Sequence, residues 1–461
     1  MSVTTPSAVK PTANDAIFAN PRYKTFVLAV LVLGYIFNVI DRGVLGITMP
    51  LIRQEFSFSD TQLGLLGGVA FAVFYAVLGI PIARLADRWH RVNVLALAVG
   101  LWSIATALCG ATVGFYTLLL ARIFTAVGEA GGTPPSHSII SDLFNLKQRA
   151  TALSIYAMAV PFGTFLGNVG SGWLSEFYDW RLTFVLVGLP GLAVALLIKL
   201  AIKEPPRGFA DGPAARPRPQ TPPVLEVLKF LLQRRSFMHM SLAAALHAVV
   251  WYSGSQWNRE FFYRGHELGQ GVAGTYLGAF ALIGTVGTLL GGYLADKVSE
   301  KRDDKRWYMW VPGIACAVMV PFQFVAYLHP DMLVVIPAFT VMVVLASMFF
   351  GPSFAVAQSL ATVRMRAVST SILLFIQTLI GLGLGPLVVG IISDMLEPSL
   401  APAVPHPDDP LIGNLSLQYG MVIVGLANIW AAIHYYLGAR TFREDLEETA
   451  KLNASADAPR S

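Results

Sequence analysis

Apolar residues run in blocks along almost the whole chain, parted by short polar breaks. The blocks fall at about 24–50, 60–83, 92–112, 115–141, 150–174, 182–202, 236–258, 271–295, 307–328, 332–360, 367–393 and 413–438. Each is long enough to cross a hydrocarbon layer of about 30 Å as a helix. The pattern predicts an all-α membrane protein with twelve transmembrane helices.

The longest break divides them six and six. It reads KEPPRGFADGPAARPRPQTPPVLEVLKFLLQRRS, with seven prolines between 205 and 223, a density that marks a linker. Its VLEVLKFLLQRR end reads as a short amphipathic helix on the membrane surface. The expected organisation is a tail (1–23), a six-helix bundle (24–202), the linker (203–235), a second bundle (236–440) and a tail (441–461).

Composition agrees. The chain is 55% hydrophobic and 13% charged, whereas soluble chains average about 25% charged. Residues 1–21 are polar, with Pro6 and Pro11, and lack a signal peptide's apolar core, so the first span is expected to be an uncleaved anchor. Cys109 and Cys316 lie in apolar runs of different halves and read as buried thiols. The net charge of +5 is a matter of topology: of 33 Lys and Arg, 27 sit on the side of the termini. Arg53, Arg181, Arg259 and Arg264 lie opposite, and Arg42 and Arg122 within spans. The positive-inside rule then predicts cytoplasmic termini in a plasma or bacterial inner membrane, with the bilayer and not nucleic acid as partner.

The halves repeat. ARLADRWHR (83–91) answers GYLADK (292–297), QRATALSIY (148–156) answers MRAVSTSIL (365–373), and LGNVGSGWLSE (166–176) answers LGPLVVGIISD (384–394). Two homologous membrane halves point to a solute site near the midplane between them. The paired LAD(R/K) loops resemble the signature of the major facilitator superfamily, with Ala83 and His90 in place of two glycines. DRGVLGITMPLIRQEFSFSDTQLGLL, GIPIARLADR and ARIFTAVGEAGGTPPSHSIISD resemble its spinster branch, which implies export of sphingosine-1-phosphate or lysophospholipids. The resemblance further implies a cytoplasmic latch. Asp87, flanked by Arg88 and Arg91, would meet the N-terminus of span eleven near Arg366, and Asp296 would meet span five near Arg149.

Ionisable residues within the spans are few: Asp41, Arg42, Arg122, Glu129, His137, His239, His247 and His434. Charge at the membrane centre costs about 2.5–3.5 kcal/mol per residue on insertion scales. All the carboxylates and arginines among them belong to the first half. Arg122 and Glu129, seven residues apart, share a helix face, and superfamily resemblance implies that spans one and four both line the cavity. Two neutralising ion pairs locking those spans would explain the charges without a transport role. Against that, buried pairs stabilise weakly. Burial favours a neutral acid and a neighbouring arginine favours the carboxylate, so Asp41 and Glu129 are the expected proton carriers. Arg42 and Arg122 never deprotonate and read as charge switches or anion ligands, with Asn168 a further polar group facing the cavity. The Asp41–Arg42 pair reads as a proton-coupled switch.

GGTPPSH (131–137) should bend span four below Glu129, and the Gly274/Gly278 and Gly287/Gly291 pairs should pack helices closely. The histidines lack metal-ligand spacing and read as packing residues. Trp251 and Tyr252 line the second half of the cavity or join Trp257 in an interfacial belt. Phosphate loops and nucleophile motifs are not found, so no enzymatic reaction and no cofactor are expected. The expectation is a proton-driven transporter, working as a monomer, for a lipid-like solute. An exporter of another organic anion or drug, a passive lipid uniporter or scramblase, and a transporter-like sensor are the alternatives.

Overall fold

The computed structural model describes residues 13–211, 222–401 and 410–457, apart from a few side chains, that of Asp87 among them. The two tail ends and the proline-rich centre of the linker thus lie outside the described residues. All regular structure among the described residues is helical. Ten of the helices are long and apolar enough to cross a membrane unaided. The other two spans depart for visible reasons. Span four is broken into Phe115–Glu129 and Thr133–Leu143, since Pro134 and Pro135 lack the N–H that would continue the ladder. Span seven, Arg235–His266, runs further than its apolar block and carries His239, His247, Asn258, Arg259, Glu260 and Arg264.

Local chemistry sets the ends. Span one, Pro21–Phe56, starts at Asn20, whose Oδ1 accepts from Arg22 N at 2.9 Å, and stops at Ser57 in the left-handed region. Span two starts at Asp60 on a capping box of Ser59 and Gln62. In the linker, Val224–Leu232 is the expected short helix, with Val227 and Leu231 buried against the second half. Span twelve continues past the membrane as a helix to Asp457. There Asp445 accepts from Ser236 N at 3.0 Å, Glu448 pairs with Arg234, and Arg443 meets Asp304 at 3.0 Å.

Among the described residues the halves join most extensively on one side. On the face away from the termini, here the far face, one apolar core takes Val44, Leu45 and Leu66 from the first half and Trp257, Phe261 and Val389 from the second. On the terminal face each half has its own core, around Leu95, Ile139 and Ile198 in the first and Met240, Val356 and Tyr435 in the second. Glycine makes the join tight. A Cβ on Gly274 of span eight would collide with the carbonyl oxygen of Asn168, and one on Gly278 with the Val169 side chain, both in span five. Gly287 and Gly291 sit as closely on Val344 and Met348 of span ten.

Candidate functional site

The charged residues of the first half gather at mid-depth. Consecutive helical residues point about 100° apart, so Asp41 and Arg42 part company. Asp41 is fully buried, while Arg42 keeps a side-chain exposure of 35% and reaches across to span four. Its Nε and Nη2 both donate to Glu129 Oε2 at 2.8 Å, and Nη2 also donates to Asn38 Oδ1 at 3.3 Å. The ion pair therefore joins Arg42 to Glu129, not to Asp41. Arg122 and Glu129 share a face and are both buried. Phe71 of span two lies between the cations, its ring 5.3 Å from the Arg42 guanidinium and 5.2 Å from that of Arg122, with Tyr75 at 5.1 Å from Arg42. Such contacts stabilise by about 0.5–2 kcal/mol each.

Much of this cluster is unsatisfied. Both Asp41 oxygens, Glu129 Oε1, and Arg122 Nε and Nη1 have no hydrogen-bond partner among the described residues. An unmade bond at a buried polar atom costs about 1–3 kcal/mol, so a cluster serving only stability is poorly built. Facing it, the second half offers Tyr252 and Leu382, which pack with Phe71 and Tyr75. Trp257 is not in an interfacial belt: it is fully buried and donates from Nε1 to Pro386 O at 2.9 Å. Trp251 packs edge-on against Phe350.

Histidines are held by neighbours. His247 meets Asn428 Oδ1 at 2.7 Å and Ala346 O at 2.8 Å, His239 pairs with His434 at 2.9 Å, and His137 stands against the Tyr156 ring. Asn168 turns its amide back to Thr164 O at 2.8 Å, where span five meets span eight.

The far face carries a polar seam that the sequence reading missed. Asp60 of span two takes Arg264 of span seven at 2.7 and 3.0 Å, Arg53 at 3.1 Å and Ser393 Oγ at 2.7 Å. Asp394, in the far-face part of span eleven, accepts from Asp60 N at 2.9 Å and Thr61 N at 2.8 Å, capping span two across the halves. Glu176, at the end of span five, accepts from Gly271 N of span eight at 3.0 Å. Arg264 also donates to Glu260 at 2.7 Å, and Arg259 is buried between Gly172 and Gly274. Asp60, Asp394 and Glu397 bring carboxylate oxygens within 4.8 Å of one another, but Arg53, Arg264 and backbone N–H groups already hold them. The cluster is thus an ion-paired seam between the halves. The clue available was a pairing: the repeat sets Glu176 and Asp394 in register.

On the terminal face Asp296 is not joined to Arg149. Asp296 is exposed and accepts from Tyr308 Oη in its own half. Arg149 donates to Ser141 O at 2.6 Å and Phe144 O at 3.3 Å, also within its half. Arg88 and Arg366 are exposed, and the Asp87 side chain lies outside the described residues. Arg91, expected at the gate, is instead fully buried inside the first half. It bonds Glu204 at 2.6 Å, Ser138 at 2.9 Å, Pro205 O at 2.6 Å, and Asp142. A buried guanidinium needs such partners, and the chain leaving span six supplies them.

Comparison with known proteins places this arrangement among transporters. The Major Facilitator Superfamily model matches residues 31–386. An efflux pump of that superfamily type from Mycolicibacterium smegmatis is 28% identical over 94% of this chain and 96% of its own. The sphingosine-1-phosphate transporter of Danio rerio is 26% identical over 92% of this chain and 85% of its own. A crystal structure of a bacterial homologue of the human lysosomal transporter spinster, inward-facing and unoccupied, superposes with TM-score 0.83. It is 32% identical and covers 92% of this chain and 99% of the other.

Proposed function

The chain belongs to the major facilitator superfamily, in its spinster branch, and from that premise we propose that it is a proton-driven transporter of a single-chain, lipid-like solute. Transport of a small molecule across a membrane by a multi-pass protein is common ground for the family. Coupling and substrate are the new part.

One observation carries the coupling: Arg42, partly open, holds Glu129 by one oxygen, while both oxygens of buried Asp41 and the other Glu129 oxygen have no hydrogen-bond partner among the described residues. Protonating Glu129 would remove the charge that holds Arg42, and the arginine would be released toward solute or toward Asp41. Such an element has two stable arrangements, and a proton gradient biases them. The positive-inside count supports cytoplasmic termini; the sealed far face then makes this conformation inward-facing. Asp87 with Arg366, and Asp296 with Arg149, are the contacts that would form when the cytoplasmic side closes.

The contrast between the walls supports a lipid-like solute. Arg42 is a cation for an anionic head, whereas Tyr252, Leu382, Phe71 and Tyr75 give apolar and aromatic surface. A small hydrophilic solute would leave its polar groups unpaired there, whereas tail burial contributes about 0.8 kcal/mol per CH₂. The name of the Danio rerio relative, a sphingosine-1-phosphate transporter, points the same way, and the Mycolicibacterium smegmatis efflux pump keeps export of another solute as the second reading. Flux of a fluorescent lysophospholipid in liposomes, with and without a pH gradient, tests the reading. Uptake that the gradient drives above equilibrium supports it. Flux indifferent to the gradient returns the passive uniporter.

A further inference from the structure

The break in span four borders a small cavity inside the first half. About 10 Å³ of it is open to the centre of a water molecule, and Asn38, Trp102, Gly132, Ser136 and Tyr156 are among its walls. That volume suits one water, and a cavity holds one when polar groups await it. They do here. Asn38 is 3% and Trp102 1% exposed, and Asn38 Nδ2 and Trp102 Nε1 are donors with no hydrogen-bond partner among the described residues. The amide orientation of Asn38 is fixed, because its Oδ1 accepts from Arg42. Ser136 Oγ gives its proton to Gly132 O at 2.8 Å and so keeps lone pairs for an incoming donor. Two donors without acceptors, the Ser136 hydroxyl oxygen and one water's worth of space make a complementary set.

We propose that one internal water molecule occupies this cavity. It accepts from Asn38 Nδ2 and Trp102 Nε1 and donates to the hydroxyl oxygen of Ser136. The water ties spans one and three to the broken segment of span four, and through Asn38 it positions Arg42. Trp102 is thereby a positioning residue for the Arg42–Glu129 pair. The site depends on neither the coupling mechanism nor the identity of the solute.

X-ray hydroxyl-radical footprinting tests it, because radicals born from a bound water oxidise the side chains around it. Two tryptophans serve as controls in the same sample: Trp257, 0% exposed with its Nε1 bonded to Pro386 O, and Trp89, 47% exposed. In the wild-type protein in nanodiscs, Trp102 should be modified several-fold faster than Trp257. Equal rates at the two would overturn the site. In Gly34→Ala the new methyl stands 3.5 Å from Ile198 Cδ1, an ordinary contact, on the cavity wall. Trp102 modification should then fall to the Trp257 level while Trp89 is unchanged. An unaltered Trp102 rate in that variant would also contradict the proposal. Should Gly34→Ala fail to fold, the wild-type comparison decides alone.

Discussion

Glu176 and Asp394 are 218 residues apart and do the same work. Each lies in the far-face part of a span in one half, and each accepts backbone N–H groups at the start of a span in the other: Gly271 for Glu176, Asp60 and Thr61 for Asp394. A carboxylate at a helix N-terminus satisfies orphan donors and meets the positive end of the dipole, which stabilises by about 0.3–1 kcal/mol, up to ~2 when partly buried. Duplication of one six-helix unit has thus left a pair of far-face clasps.

The clasps should set the conformational balance. Asp394→Asn weakens one cap and Glu176→Gln the other, each moving the population toward far-face opening by several-fold. The double variant should exceed either. Spin-label distances across the far face measure this, and unchanged distributions in the double variant would show that the apolar core alone holds the seam.

Gly274 tests the packing half of the same seam. Gly274→Ala introduces a Cβ that collides with the Asn168 carbonyl, and overpacking of this kind costs about 1–3 kcal/mol. The same spin-label pairs should open. Gly43→Ala, where nothing lies within 4 Å of the new Cβ, is the control expected to leave the distances alone.

How much of this was legible in the sequence follows from the range of the forces involved. The spans, the linker helix, the break in span four and the glycine contacts are set by local periodicity and proline and glycine chemistry, which a single chain displays. The proximity of Arg42, Arg122 and Glu129 followed from helix phase and the family's fold. The partner exchange did not: that Arg42 takes Glu129 and leaves Asp41 alone depends on rotation of span one against span four. The far-face seam was hidden for another reason. Arg259, Glu260 and Arg264 interrupt the apolar run of span seven, so hydropathy ended the helix early, although tertiary partners let it continue to His266. Arg91 misled because positive-inside counting treats every basic residue of a loop as solvated.

At the terminal face, Asp304 lies outside the membrane spans. Hydrogen bonds from Arg306, aided by Arg443 of the terminal helix, lower its pKa from 3.8 to about 2. A depressed native value means stabilisation that is complete above pH ~4 and is lost as pH falls through about 2. Asp304→Asn should therefore lower Tm at neutral pH, with the gap to wild type closing between pH ~4 and ~2. A gap constant down to pH ~2 would remove the ionised carboxylate from the explanation.

The head and tail of the solute should be separable. Across a series of lysophospholipids, affinity should rise with chain length until the apolar wall is filled, at up to about 0.8 kcal/mol per CH₂. Arg42→Ala should weaken anionic heads more than zwitterionic ones by about 1–3 kcal/mol, the range for a lost charge-assisted bond. Flat affinity along the series, read by tryptophan quenching or calorimetry, would favour the organic-anion cargo.

The most direct measurement is proton-driven uptake by Glu129→Gln in proteoliposomes, with Asp41→Asn beside it. Each variant keeps side-chain shape and removes a titratable group, and Glu129→Gln also frees Arg42 from its charged partner. The account predicts folded proteins that still bind the lipid but no longer concentrate it under a pH gradient, with downhill exchange retained. Accumulation at wild-type levels in both variants would contradict it and reduce the Arg42–Glu129 pair to a structural tie.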